Sequence, residues 1–341
     1  MKQGRSTVPI TGIAEIIYGV EDFDTCVEFF EDYGLSRLES GSDHALFSVI
    51  SGQQIRVYPL GDDRVPKSEL MGPGVQECIW AVPRQQDLDG LVADLSRDHE
   101  VTIDETGTAH FVTSFGQAIG LRVFQPLPYT CCPAPTNAPG IINRMNVPRK
   151  WLSRAIPKTI SHCVWTFLDV NEAFDFYSQR LGFRMSDIQK GVGIYIRAGR
   201  STNHHNIMLA DADQVLFGFD GKFRFHHVNF GVEDLDEIMA GKNYMTRKGY
   251  GDNGWGFGRH RVSSELFLYM PSPAGGEVEY GADCDQVDGN WRPRVWGAAF
   301  AAFTFIHDMP DWLKEHEPEW DVSYVTPETA RYVPIKETTE G

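Results

Sequence analysis

The chain has 341 residues, 42% of them hydrophobic and 12% aromatic, and a formal net charge of -16. That length exceeds what one core usually serves, and the apolar content is that of a folded chain, so two domains are expected and disorder is excluded. A polyanion of this size with no Lys/Arg-rich run repels nucleic acid and acidic membranes, which leaves small molecules as partners.

The six cysteines, Cys26, Cys78, Cys131, Cys132, Cys163 and Cys284, form no CxxC pair. In a long, Cys-poor chain they read as reduced thiols. The opening MKQGRSTVPITG lacks the apolar run of a signal peptide, and no stretch approaches the roughly 18 apolar residues of a membrane span. A cytoplasmic enzyme is expected.

In chain order, four segments repeat one pattern. The first opens on a short alternating run at residues 13–17 and passes into the helical DFDTCVEFFEDYG. The second opens on ECIWAV and passes into QDLDGLVADLSRD. A Pro-rich stretch at 126–148, containing PLPYTCCPAPTNAPG, has the composition of a linker. The third segment opens on ISHCVWTFLDV and passes into NEAFDFYSQRLGF. The fourth opens on HHVNFGV and passes into EDLDEIMAGKNYMTRKG. In each, a period of two gives way to a helical period. Short β-rich runs follow, among them HALFSVI, IGLRVFQ, GIYIRAG and LFLYMP. The predicted class is α+β: four βαβββ modules paired into two barrel-like domains at residues 8–130 and 159–284. Residues 131–158 link them, and 285–341 form a tail. That tail holds Trp291, Trp296, Trp312 and Trp320, matches no repeat and suggests no chemistry.

Strand alternation decides which side chains meet. In the third module His162, Val164 and Thr166 share a face, against Cys163, Trp165 and Phe167. In the fourth, His227, Asn229 and Gly231 share a face, against Val228, Phe230 and Val232. The apolar faces must pack on helices, so two histidines at equivalent places line a cavity. The last strand, GGEVEYG, adds Glu277 and Glu279 on one face. An inward carboxylate in an apolar sheet is costly unless a cation pairs with it. Two neutral imidazoles and one carboxylate, with coordination positions left open, make the facial triad of non-haem Fe(II) oxygenases.

The stretch FGRHRVSSELFLYMPSPAGGEVEYG, residues 257–281, resembles the type I extradiol dioxygenases of the vicinal oxygen chelate (glyoxalase/bleomycin resistance/dioxygenase) superfamily. Gly258-Arg259-His260 is followed nine residues later by Tyr269 and ten after that by Glu279, with Leu268 where the family has an aromatic. NHHNIMLA and HHVNFGVEDLDE extend the resemblance, which spans residues 10–300 and is strongest over 160–283. It implies two vicinal-oxygen-chelate domains, the second holding Fe(2+), with Mn(2+) as the alternative, on His162, His227 and Glu279. It implies His205 as the acid-base residue, and His260 and Tyr269 as hydrogen-bond donors to the catecholate oxygens. Val164, Tyr195, His204 and His226 would stand against the substrate. The reaction implied is extradiol cleavage of a small aromatic diol by dioxygen to a muconic semialdehyde-type product, in a homo-oligomer.

Each histidine pair leaves a choice. His227 is taken over His226 because it stands five residues before Val232, as His162 does before Phe167. His205 is the better match for the acid-base residue, with His204 close behind. Ser263 replaces an Asp that many relatives carry, so a carboxylate that could orient neighbouring groups is missing. The segment DADQVLFGFDGKFRF is longer than in the family and can reshape the pocket wall. In the first half, Ala14 or Glu15, Glu77 and Val123 fall where the three ligands stand, so that domain is expected to be structural, with solvated or paired charges. Two alternatives share the scaffold: a non-redox metal enzyme of glyoxalase or epimerase type, and a metal-free small-molecule-binding protein.

Overall fold

A computed structural model describes residues 10–214, 218–314 and 317–334. The first two residues of the expected 8–130 unit, residues 215–217 of the lengthened segment and the end of the expected tail lie outside them. Four βαβββ units follow in order. The first is β1 (Gly12–Val20), α1 (Phe23–Tyr33), β2 (Ser36–Ser40), β3 (Ala45–Ser48) and β4 (Gln54–Pro59). The second is β5 (Gly74–Val82), α2 (Gln85–Leu95), β6 (Thr102–Ile103), β7 (Ala109–Val112) and β8 (Ala118–Val123). The third is β9 (Thr159–Phe167), α3 (Val170–Gln179), β10 (Arg184–Gln189), β11 (Gly193–Arg197) and β12 (Ile207–Asp211). The fourth is β13 (Arg224–Gly231), α4 (Leu235–Arg247), β14 (Phe257–Arg259), β15 (Leu266–Pro271) and β16 (Glu277–Ala282). The class is α+β.

The helices start where the sequence offers a side-chain acceptor for free backbone amides. Asp22 accepts from the Thr25 amide, Asp169 from Asn171 and Glu172, and Asp234 from Glu237. Helix α1 stops at Gly34, whose φ of 111° a side chain would resist.

Units one and two form an eight-stranded sheet in the order β2-β3-β4-β1-β5-β8-β7-β6. Units three and four form the second sheet, where β15-β16-β13-β9-β12-β11 repeats the same central pattern. In both, the first strands of the two units pair antiparallel, and each pairs parallel with its own unit's last strand. The outward faces and the helices share one apolar core between the sheets. Tyr33 of α1 stacks on Tyr280 of β16 at 4.2 Å, and Trp80 of β5 meets Phe183 edge-on at 4.8 Å. The Tyr280 hydroxyl donates to the Tyr33 carbonyl and the Trp165 indole to that of Val75, so these two buried polar tips are satisfied across the same boundary.

The residues expected as a tail outside the repeats add strands to the second sheet. Strand β17 (Arg294–Trp296) joins β10. After α5 (Ala298–Ala302), β18 (Phe305–Ile306) joins β14. After α6 (Asp311–Lys314), β19 (Val322–Tyr324) joins β17. Among the described residues, no helix is long and apolar enough to cross a membrane.

Candidate active site

The inner face of the second sheet encloses a cavity of about 280 Å³. Strands β9, β13 and β16 lie side by side and carry His162, His227 and Glu279 to its floor. His162 Nε2 stands 3.3 Å from Glu279 Oε2 and 3.3 Å from His227 Nε2, and His227 Nε2 stands 3.5 Å from the same oxygen. All three side chains are buried. Both Glu279 oxygens lack a hydrogen-bond partner among the described residues. Burial holds the His227 imidazole well below its usual range, with the neighbouring His226 and His162 adding to it.

This donor set fits a divalent cation. Ligands bound at about 2.1 Å on adjacent corners of an octahedron stand about 3 Å apart, near the spacing seen. A buried carboxylate without a partner costs several kcal/mol, which a cation would offset.

His205 lies beside this triangle. Its ring centre is 4.0 Å from that of His162. Burial, reinforced by His162 and the other histidines, drives its pKa well below the usual value, so it is held neutral. Across the cavity, His260 Nδ1 is 2.7 Å from the Ala302 carbonyl, and Nε2 is 3.1 Å from the Tyr269 hydroxyl. A carbonyl has no proton, so Nδ1–H donates to it and Nε2 accepts from Tyr269. Burial lowers the His260 pKa, and burial with the Glu279 charge raises that of Tyr269, so this tautomer is favoured. Ala302 belongs to the segment in which the sequence suggested no chemistry. With Phe303 it closes one wall.

Residues 159–254 match the family model of the Glyoxalase/Bleomycin resistance protein/Dioxygenase superfamily. They belong to a domain of this superfamily, which β14, β15 and β16 complete. The matched segment holds His162, His205 and His227, while His260, Tyr269 and Glu279 follow it. Metapyrocatechase 2 of Cupriavidus necator is 30% identical over 169 residues, 49% of this chain and 50% of that one. The chain thus spans about half the length of the curated relatives it matches. Among solved structures, a Mn(II)-bound glyoxalase from Novosphingobium aromaticivorans superposes with a TM-score of 0.67 at 20% identity, covering 95% of this chain and 98% of that one. A halotolerant catechol dioxygenase gives 0.67 at 16%, covering 93% and 100%. At such identities these two likenesses show the fold.

Within this superfamily domain the remaining expected residues divide. Val164 and Tyr195 line the cavity. The Tyr195 hydroxyl donates to Gln189 Oε1 at 2.7 Å, and its ring stands edge-on to His205 at 5.1 Å. His226 also lines it. It is the extra residue of a bulge, since Phe225 pairs with Trp165 and His227 with Val164. That bulge brings its Nδ1 to 2.6 Å from His227 Nδ1. Burial pushes the His226 pKa down to about 4. His204, expected against the substrate, is not among the cavity-lining residues. It is fully buried behind the wall, with Nε2 3.0 Å from Asp187 Oδ2. Asp187 also takes the Trp296 indole N–H at 2.9 Å. His204 Nδ1 stands 3.2 Å from that of His205, and only His205 of that pair is among the cavity-lining residues.

Two acidic residues were not singled out for roles by the sequence. Glu265 is 3% exposed. Its Oε2 lies 3.9 Å from His162 Nδ1, and its Oε1 accepts from Asn229 at 3.1 Å. A carboxylate is therefore present two residues beyond Ser263, where the sequence suggested that one was lost. Burial first, then the Glu279 charge, raises its pKa. Glu277 faces the cavity from the same strand as Glu279. Burial raises its pKa to about 7 against a hydrogen bond from Asn253.

Strand pairing also fixes the equivalent places in the first sheet. His162 pairs with Asn229, two residues after His227; Glu15 pairs with Ile79, two residues after Glu77. Glu279 pairs with Asn229, and Gly120 with Ile79. The counterparts are therefore Glu15, Glu77 and Gly120, and Val123 is displaced from that role. Glu15 is paired with Arg56 at 2.7 Å and Arg122 at 2.5 Å, and Glu77 with His110 at 2.8 Å.

Proposed function

We propose that the chain is an Fe(II)-dependent extradiol dioxygenase that opens a catechol-type ring beside its two hydroxyls, with Mn(II) as the alternative metal. The observation that carries this reading is Glu279: a buried carboxylate with both oxygens unpartnered, facing two imidazole nitrogens, with a third neutral imidazole alongside. His162 Nε2, His227 Nε2 and Glu279 Oε2 would hold the metal. Ferrous iron, when bound, supplies the redox chemistry and open positions that dioxygen and a diol need.

The protein's share is positioning and proton transfer. His205, held neutral, can take a proton from an incoming diol hydroxyl and return it later in the cycle. His260 is oriented by the Ala302 carbonyl, and the Tyr269 hydroxyl, already donating to His260, can swing to a substrate oxygen that gains negative charge. The neutral Val164 and Tyr195 walls limit water beside the ring. Glu265, behind His162, can accept from its Nδ1–H and fix the ring with Nε2 toward the metal. The substrates are then an aromatic diol and dioxygen, and the product a muconic semialdehyde-type acid. The aromatic-diol names of curated relatives support this reading.

The test is incubation of catechol with Fe(II)-loaded protein in air, reading oxygen uptake and absorbance together. A yellow product formed with one dioxygen per diol is expected. A colourless cis,cis-muconic acid would mean cleavage between the hydroxyls and refute the reading. An intact diol, with turnover of a thiol hemiacetal on Mn(II), would move the chain to non-redox metal chemistry.

A further inference from the structure

Beyond the ligands, the proton-handling histidines and Glu265, the described residues that line the cavity include one carboxyl group that the proposed chemistry does not use. Glu277 sits on the same face of β16 as Glu279 and lines the cavity. Residues two apart on a strand are separated by about 6.6 Å, so its carboxyl stands where a ring substituent would point and not at the metal. The Asn253 side-chain carbonyl accepts from the Trp255 amide, which leaves its NH2 to donate to Glu277. A carboxyl group keeps acceptor positions beyond the one that Asn253 fills, so capacity remains toward the cavity. The same cavity wall includes the apolar side chains of Met208, Phe219, Trp255 and Phe303.

No Lys or Arg is among the described residues that line this cavity. The chain as a whole carries a net charge of -16. A carboxylated ring would have to leave water for a site with no cation outside the metal and with a carboxyl group facing it. An uncharged substituent carrying a hydrogen-bond donor meets a ready acceptor, and a purely apolar one leaves the acceptor positions that Asn253 does not fill desolvated.

We infer that Glu277 sets substrate class: the ring bears an uncharged side arm with a hydroxyl-type donor and no carboxylate. This rests on the ring-cleavage reading above. The arm's donor lies against Glu277, while the ring diol lies at His162, His227 and Glu279.

The experiment compares three catechols of matched arm length, all substituted para to one hydroxyl: hydroxyethylcatechol, propylcatechol and dihydroxyphenylacetate. Binding to the metal-loaded protein is read by quenching of tryptophan fluorescence, Trp255 being in the wall, and turnover separately by oxygen uptake. The wild type is expected to bind the hydroxyethyl compound about 10-fold more tightly than the propyl one. It should bind it about 100-fold more tightly than the acetate. Glu277→Met should reverse the hydroxyethyl-to-propyl order. Glu277→Gln should bring the acetate closer by about 10-fold, because an amide NH2 that can donate to a carboxylate replaces the carboxyl group. A loss of fold would weaken all three ligands together and leave their ratios unchanged. Acetate bound as tightly as the hydroxyethyl compound, or ratios unmoved in a Glu277→Met protein that loads metal as the wild type does, would overturn the inference. The expected binding order with no oxygen uptake would overturn the ring-cleavage reading alone.

Discussion

The two sheets present the same three positions to their interiors and fill them in opposite ways. In the first sheet, Glu15 and Glu77 are met by Arg56, Arg122 and His110. The third position is Gly120, where an added Cβ would fall 2.6 Å from the Ile79 side chain. In the second sheet, the positions carry His162, His227 and Glu279, and among the described residues no Lys or Arg side chain pairs with Glu279. The two buried carboxylates of the first sheet are paired within the protein, and the one of the second sheet has no hydrogen-bond partner among the described residues. The difference teaches that the fold provides a cradle, and that three substitutions in register decide whether it closes on itself or stays open.

The largest expected effect tests that openness. His162→Ala should lose bound metal and ring-cleaving activity together, measured as metal content per chain and oxygen uptake. Replacing Glu15 by Gln should leave metal stoichiometry unchanged, because that carboxylate already has its cations. An active, metal-loaded His162→Ala protein would break the comparison.

A smaller effect separates binding from proton transfer. His205→Gln should keep metal and diol but turn over about 100-fold more slowly or worse. His204→Gln should do less, since that ring is buried against Asp187 behind the wall. The opposite ranking would mean that the proton is handled by the other member of the pair.

Glu265 gives the next step down. Glu265→Leu should weaken metal affinity by about 10- to 100-fold in chelator competition, the range for a lost partner of a ligand histidine. Adding Ser263→Asp should restore part of it. The backbone at Ser263 is left-handed, with φ of 65°, which Asp tolerates. Equal affinity in Glu265→Leu and the wild type would leave Glu265 a packing residue.

The smallest effect belongs to the closed sheet. Asp104 and Glu77 around His110 raise its pKa to about 9 against the opposing effect of burial. A histidine raised above its unfolded value of about 6.5 contributes stability that is complete below that pH and is lost as pH rises through 9. Urea midpoints of the wild type should therefore fall between pH 6.5 and 9 more than those of His110→Gln. Parallel curves would show that the pair contributes nothing.

Much of this contrast is legible in the sequence. A period-two pattern, repeated with a histidine at the same step in two modules, points His162 and His227 inward, and the same rule points Glu279 inward. The helix starts at Asp22, Asp169 and Asp234 follow from short acceptors before amphipathic runs. What the pattern hides has physical reasons. The bulge at His226 adds a residue that alternation cannot count. Glu265 reaches His162 because Ser263 and Ser264 turn the chain through left-handed backbone, which no periodicity announces. Gly120 is found only through parallel pairing, because its register depends on the neighbouring strand. The tail holds His260 through a backbone carbonyl, and a carbonyl leaves no mark in a sequence.

Crystals soaked with Mn(II) in the absence of air, and measured at the metal's absorption edge, test the central contrast most directly. One anomalous peak per chain is expected, about 2.0 to 2.3 Å from His162 Nε2, His227 Nε2 and Glu279 Oε2, with none between Glu15 and Glu77. A peak instead among His162, His205 and Glu265, which also stand close enough to share an ion, or one in the first sheet, would contradict the account.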